Sequence, residues 1–292
     1  MRPSLAMRRT AGALCVFALV AGCSAGPDKT GAAASEAVPT VAPDLQMRRP
    51  GYKVVARFPH DANAYTQGLT FNKGRFYEGT GLETRSSLRR VRLRTGKVLQ
   101  QHDLADEYFG EGITLIGDKI WQITWQEETG FVYDAATFDT LETFDYNADD
   151  GKTEEGWGLT DDGETLAMSD GSEIIRFRDP ETFDVIREIR VTENGVPVFY
   201  LNELEWIGDE IFANVFGQDY IVRIDPATGV VVGRIDIAKL RNREVNGCPN
   251  NDYDEPPEVT NGIAYLQKSK RLFVTGKLWC HLYEIELADP PL

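Results

Sequence analysis

The chain has 292 residues, 42% hydrophobic and 10% aromatic, which is enough for a sizeable core. Its 31 Lys+Arg against 46 Asp+Glu give a formal charge of −15, which argues against a nucleic-acid binder and against attraction to anionic lipid. The 27 Gly and 14 Pro are spread along the chain and disfavour long helices, and the composition excludes collagen-like and disordered chains.

Met1–Thr10 carries Arg2, Arg8 and Arg9 and no acid, and Ala11–Ala21 is an apolar run too short to span a bilayer. The run ends in Val20-Ala21-Gly22-Cys23, which resembles the bacterial lipobox. The resemblance implies a lipoprotein signal peptide over 1–22, cleavage before Cys23 and a lipid on its sulfur. Loss of 1–22 would take the charge from −15 to −18. Residues 23–50, rich in Ala, Gly, Ser, Thr and Pro as far as Gln46, read as a flexible tether. The expected location is extracytoplasmic, on the outer face of a bacterial cell membrane, with the membrane touched only through the lipid.

Cys15 leaves with the signal and Cys23 is the lipid site, so Cys248 and Cys280 remain as an even pair in an oxidising compartment and are expected to form a disulfide. His60, His102 and His281 are scattered with no zinc-site spacing. Glu203, Glu205, Asp170 and the acid-rich stretch 149–155 offer oxygen ligands, but such runs are more often solvated. No metal and no other cofactor is expected.

From residue 51 to 288 one pattern recurs five times: Gln67-Gly68-Leu69-Thr70, Glu111-Gly112-Ile113-Thr114, Trp157-Gly158-Leu159-Thr160, Glu203-Leu204-Glu205-Trp206 and Asn261-Gly262-Ile263-Ala264. Their second positions are 44, 46, 46 and 58 residues apart. Each is followed by a Gly or Asp turn and an alternating strand, beginning Arg75-Phe76-Tyr77, Lys119-Ile120-Trp121, Glu164-Thr165-Leu166, Glu210-Ile211-Phe212 and Arg271-Leu272-Phe273. Third strands are expected at Leu88–Leu93, Phe131–Asp134, Ile174–Phe177, Ile221–Asp225 and Leu282–Leu287. Fourth strands follow at Val98–Leu104, Leu141–Tyr146, Val185–Val191 and Val230–Ile237. Four short strands at this period predict an all-β, five-bladed β-propeller. The last unit lacks a fourth strand, and the copy before the first unit, Tyr52–Phe58, is expected to supply it and close the ring. The extra residues of the last unit, Arg241–Glu258, read as a loop tied down by Cys280.

In a propeller the first strand of each blade lines the axis. The starts of those strands bring Tyr65, Gln67, Phe109, Glu111, Trp157, Asn202, Glu203 and Asn261 towards one mouth, and second strands add Trp125, Phe216, Lys277 and Trp279. An aromatic box with amides, a carboxylate and a lysine suits a small, neutral, amide-bearing ligand.

The strings Tyr65-Thr66-Gln67-Gly68-Leu69, Phe109-Gly110-Glu111-Gly112-Ile113-Thr114, Leu201-Asn202-Glu203-Leu204-Glu205-Trp206, Asn261-Gly262-Ile263-Ala264-Tyr265 and Phe273-Val274-Thr275-Gly276-Lys277, with Trp125, closely resemble the plant and bacterial glutaminyl-peptide cyclotransferases. The resemblance spans nearly all of 52–287. It implies a five-bladed propeller that converts N-terminal Gln of peptides or proteins to pyroglutamate with loss of ammonia, unlike the zinc enzymes of animals. It implies Glu111 as general acid and base, with Gln67 and Asn202 on substrate amides and Lys277 on a carbonyl oxygen. Tyr65, Phe109, Trp125, Trp157, Phe216, Trp279, Asn261 and Glu203 are the implied substrate contacts. Tyr65 stands where the family often has Phe and Phe216 where it usually has Trp. A monomer is expected. The competing readings are a non-catalytic propeller that binds peptides or cell-wall material, and a lactonase-type hydrolase, which needs several channel carboxylates around Ca²⁺.

Overall fold

Short strands and tight polar turns set the architecture, and the second strand of each repeat is buried on both faces. The computed structural model describes residues 48–146, 155–249, 252 and 258–288. The segment expected to be a signal, Cys23 and the expected tether up to residue 47 lie outside them, as do Pro256-Pro257 and most of the acid-rich stretch 149–155. The chain begins with β1 (Tyr52–Pro59). Blade 1 is β2 (Thr66–Asn72), β3 (Arg75–Thr80), β4 (Ser87–Arg92) and β5 (Lys97–Asp103). Blade 2 is β6 (Gly110–Ile116), β7 (Lys119–Thr124), β8 (Thr129–Asp134) and β9 (Thr140–Asp145). Blade 3 is β10 (Leu159–Asp161), β11 (Leu166–Ser169), β12 (Ile174–Arg178) and β13 (Val185–Arg190), followed by the hairpin β14 (Thr192–Glu193) and β15 (Val196–Pro197). Blade 4 is β16 (Leu201–Ile207), β17 (Glu210–Val215), β18 (Tyr220–Ile224) and β19 (Val231–Asp236). After helix α1 (Ala238–Gly247), blade 5 holds β20 (Thr260–Leu266), β21 (Arg271–Gly276) and β22 (His281–Leu287).

Each blade is a four-stranded antiparallel sheet, and the fifth has the order β1-β22-β21-β20. The expected closure is therefore present: Tyr52 faces Leu287 and Phe58 faces Leu282. The innermost strands β2, β6, β10, β16 and β20 lie side by side in that order, and β20 returns to β2.

The core is distributed. Five apolar clusters fill the five spaces between consecutive blades rather than one central mass. At the closing seam Phe76 of blade 1 meets Phe273 of blade 5 edge to face at 5.1 Å. Fully burying a side chain of this size contributes about 1.5–3 kcal/mol, so each seam is held by several such contributions.

Four innermost strands carry a bulge near their start, between Thr66/Gly68, Gly110/Ile113, Leu201/Leu204 and Thr260/Ile263. A bulge adds a residue, twists the strand and re-aims a side chain.

Three elements differ from the sequence expectation. Arg241–Glu258 was expected as loop, yet Ala238–Gly247 is helical. The stretch Ala238–Asn246 lacks Gly and Pro and is rich in helix formers, and Leu240 and Glu244, one turn apart, are both buried. The hairpin β14–β15 was not foreseen, although its turn is Asn194-Gly195 with φ of 52° and 80°, the pairing that a two-residue hairpin favours. The folded part also starts before residue 51: the Arg48 N–H donates to Val232 O at 3.0 Å and its carbonyl accepts from Arg234 N–H at 2.8 Å.

Candidate functional site

The inner strands approach too closely for side chains at the repeat glycines. A Cβ on Gly112 would lie 2.5 Å from Leu159 N, and one on Gly158 2.0 Å from Asn202 O. This close approach, with the bulges, gathers side chains from all five blades around a cavity of about 280 Å³. It is lined by Tyr65, Gln67, Leu82, Phe109, Glu111, Trp125, Trp157, Asn202, Phe216 and Lys277.

The walls are aromatic edges in contact. Ring centroids are 6.4 Å apart for Tyr65–Phe109, 5.5 Å for Phe109–Trp125 and 5.8 Å for Trp157–Phe216. Both wall indoles donate to one carboxylate oxygen, Glu155 Oε2, at 2.8 Å from Trp125 and 2.9 Å from Trp157. Gln126 Nε2 donates to Glu155 Oε1 at 2.9 Å. Burial acts to raise the Glu155 pKa, and the three donors outweigh it and hold the carboxyl below its ordinary range.

Glu111 lies among these rings and is 5% exposed. Gln67 Nε2 donates to its Oε1 at 2.9 Å. Burial drives the Glu111 carboxyl well above its ordinary range; Lys277 opposes this, and Glu155 and Glu127 add to it. Burial likewise pulls the Lys277 ammonium down, against the attraction of Glu111 and Glu258. Lys277 Nζ stands over two rings, 4.6 Å from Tyr65 and 5.4 Å from Phe216. Asn202 Oδ1 is buried with no hydrogen-bond partner among the described residues.

Nine of the twelve residues expected at the mouth line the cavity. The other three stand behind it. Trp279 is fully buried against Gly276 and donates to Glu258 O at 3.1 Å. Asn261 Nδ2 donates to Thr66 O at 2.9 Å and to Gln67 Oε1 at 3.2 Å, so it fixes Gln67 instead of facing the cavity. Glu203 accepts from Leu69 N–H at 3.1 Å and Ile263 N–H at 2.8 Å, tying β16 to β2 and β20. Asn202 and Glu203 lie in the bulge between Leu201 and Leu204, which re-aims side chains, and the Glu203 carboxylate is held by the backbone of the two neighbouring inner strands. Gln67 lines the cavity, with Glu111 and Asn261 engaging one N–H and one lone pair of its amide.

The sequence reading missed Leu82, Glu155 and Glu258. Leu82 lines the cavity with a φ of 87°, a strained value for a side chain of its size. Glu258 Oε2 accepts from the Tyr65 hydroxyl at 2.9 Å. No local signal marks these positions, since each acts on a partner from a distant stretch. No zinc-site spacing links the histidines and cysteines in sequence, yet Glu244, Cys248, Cys280 and His281 bring their ligand atoms within 4.8 Å of one another, because α1 folds back on β22. The two sulfurs form the expected disulfide, with Cα atoms 5.7 Å apart. Glu244 accepts from Cys280 N–H at 2.9 Å and from the Tyr283 hydroxyl at 2.5 Å, and its carboxylate lies 3.0 Å from His281 Nδ1. This cluster does not line the cavity.

Fold and cavity define a class: a five-bladed propeller with a cavity among its inner strands that holds a buried carboxyl and a buried lysine. Residues 27–287 match the family model described as glutamine cyclotransferase. The chain is 43% identical over 245 residues to the glutaminyl-peptide cyclotransferase of Arabidopsis thaliana, covering 84% of this chain and 73% of that one. It also superposes on the crystal structure of the Myxococcus xanthus glutaminyl cyclase with a TM-score of 0.74 and 34% identity, covering 82% of this chain and 97% of that one. The chain belongs to the glutamine cyclotransferase family.

Proposed function

We propose that this chain is a glutaminyl-peptide cyclotransferase that converts the N-terminal glutamine of peptides or proteins to pyroglutamate, with Glu111 as its proton carrier and no catalytic zinc. The observation that carries the reading is a buried carboxyl in an aromatic cavity, with one oxygen already held by Gln67. The substrate's α-amine attacks its own side-chain amide carbon. A C–N bond forms, the C–NH₂ bond breaks and ammonia leaves. Amine and carbonyl are tethered in one residue, so proximity is largely built in.

What remains is proton traffic. The attacking amine loses a proton and the leaving nitrogen gains one, and a single carboxyl can do both in turn. An N-terminal ammonium has a pKa of about 7.7–8.0, so raising Glu111 towards that range brings the transfer closer to balance. Gln67 holds Oε1, and the traffic falls to Oε2. Asn202 Oδ1 is an open acceptor for the α-amine. Lys277 stabilises the oxyanion that develops on the amide carbonyl. Trp125 and Trp157 keep out the water that would otherwise hydrolyse the amide to Glu.

Incubating the pure protein with a Gln-initiated dipeptide and following ammonia release tests the activity. EDTA should leave the rate unchanged. Absence of release, with or without added Ca²⁺, would leave the non-catalytic peptide-binding propeller as the better reading. Loss with EDTA that zinc restores would put a metal in the mechanism.

The same proposal places the protein as a monomer on the outer face of a bacterial membrane, anchored through Cys23. The lipobox-like Val20–Cys23 supports this, and the Cys248–Cys280 disulfide suits an oxidising compartment. A Cys23→Ser variant should leave the membrane fraction.

A further inference from the structure

Two ionisable groups are buried together behind the cavity wall. His60 follows β1, and Glu78 lies on β3 of blade 1. Their side chains are 6% and 2% exposed, and His60 Nε2 lies 2.8 Å from Glu78 Oε1. His60 Nδ1 lies 2.6 Å from Trp279 O, and Thr66 Oγ1 donates to Glu78 Oε1 at 2.8 Å. A carbonyl oxygen only accepts, so Nδ1 carries a hydrogen, and the second ring nitrogen shares one proton with the carboxyl. Burial opposes charge on both groups. Their mutual attraction and hydrogen bonds win, raising the His60 pKa and lowering that of Glu78, with Arg89 adding to the pull on Glu78 and Asp61 to that on His60.

The pair touches two pieces of the site at once. Thr66 precedes Gln67, which orients Glu111. Trp279 is two residues beyond Lys277. The same N-terminal segment braces the Lys277 loop twice more: His60 N–H donates to Cys280 O at 2.9 Å, and Leu278 N–H donates to Ala64 O at 2.8 Å. Leu278 has a φ of 61°, a conformation its neighbours must enforce. Burying two charges carries a desolvation cost that an apolar pair of the same volume would avoid.

We propose that His60 and Glu78 are positioning residues of the reaction: by bridging Trp279 and Thr66 they fix Lys277 relative to Glu111 and Gln67. This rests on the cyclotransferase reading above. A misplacement on the order of 1 Å costs up to about 10²-fold in rate. In His60→Ala and Glu78→Ala, kcat should fall by roughly 10–100-fold while KM changes little, because the aromatic cavity still binds. Glu78→Gln, with its side-chain –NH₂ in the place of Oε1, can donate to a neutral His60 and to the Thr66 hydroxyl oxygen, so it should restore most of kcat. Glu210→Ala serves as the control for stability. It breaks another buried pair, Glu210–Arg223, which does not line the cavity, and it should lower Tm without touching kcat. The Gln67 side-chain amide and Leu278 backbone resonances provide a readout independent of turnover. They should shift in His60→Ala and stay in place in Glu210→Ala. Unmoved resonances, or a kcat loss matched by Glu210→Ala, would overturn the proposal. A wild-type protein inactive on Gln peptides would overturn the function, and the resonances would still decide the positioning.

Discussion

The role proposed for Glu111 sets reactivity against stability. A folded-state pKa raised by burial means that ionising the group costs folding free energy. Its contribution is fully present below the ordinary carboxylate range and is lost as pH rises through the raised value. Glu111→Gln keeps the volume and an acceptor for Gln67 but cannot carry a proton. Its kcat should fall by at least ~10²-fold, and its Tm advantage over the wild type should grow from pH 5 to pH 8. Turnover near wild type, or an advantage that shrinks with pH, would show that the burdened group is another one. Glu155 tests the walls. Glu155→Ala unpins two indoles, and KM should rise by about tenfold, the order expected when about 1.4 kcal/mol of binding is lost, as read in steady-state assays on a Gln dipeptide. Glu111 was legible because the repeat sets it in register with Gln67. Glu155 was not, because a carboxylate within an acid-rich run reads as solvated until indoles from two blades are brought to it.

Among the elements, turns and inner strands were written locally. In the middle blades Asp134, Asp179 and Asp225 each accept backbone N–H bonds from residues two or three ahead, which is how a side chain sets a turn. The bulges were not legible, since the extra residue shows only when a partner strand supplies the register. Neither was α1, whose stability comes from seating Leu240 and Glu244 against blade 5 rather than from its propensity. The disulfide joins the end of this helix to Cys280, across 32 residues. Reduction should cost on the order of 2–5 kcal/mol and appear as a lower Tm. Turnover below that Tm should persist, since the His60 contacts still hold the Lys277 loop. Complete loss of turnover while the fold survives would show that the bridge itself shapes the site.

The whole molecule depends on its closing strand. Deleting residues 24–46 should leave Tm and turnover unchanged. The cut must stop there, because Arg48 donates to Glu210 Oε1 at 2.8 Å, and Glu210 also pairs with the fully buried Arg223. Deleting 24–60 removes β1 and His60, opens the edge of β22 and should cause aggregation, visible by light scattering. A 24–60 variant that melts like the intact chain would refute closure as a source of stability.

The same closure constrains how the protein is made. β1 is the first strand to emerge in synthesis, and its partner β22 is the last. About 220 residues separate Phe58 from Leu282, so at ordinary elongation rates β1 waits on the order of 10–45 s for its mate. Through that wait its backbone is a bare template for any other strand. Lys53 and Arg57 on its exposed face, and Pro59 at its end, are the residues that discourage such pairing. Replacing that charge with apolar residues would leave the finished ring intact and lower the yield of rings that finish.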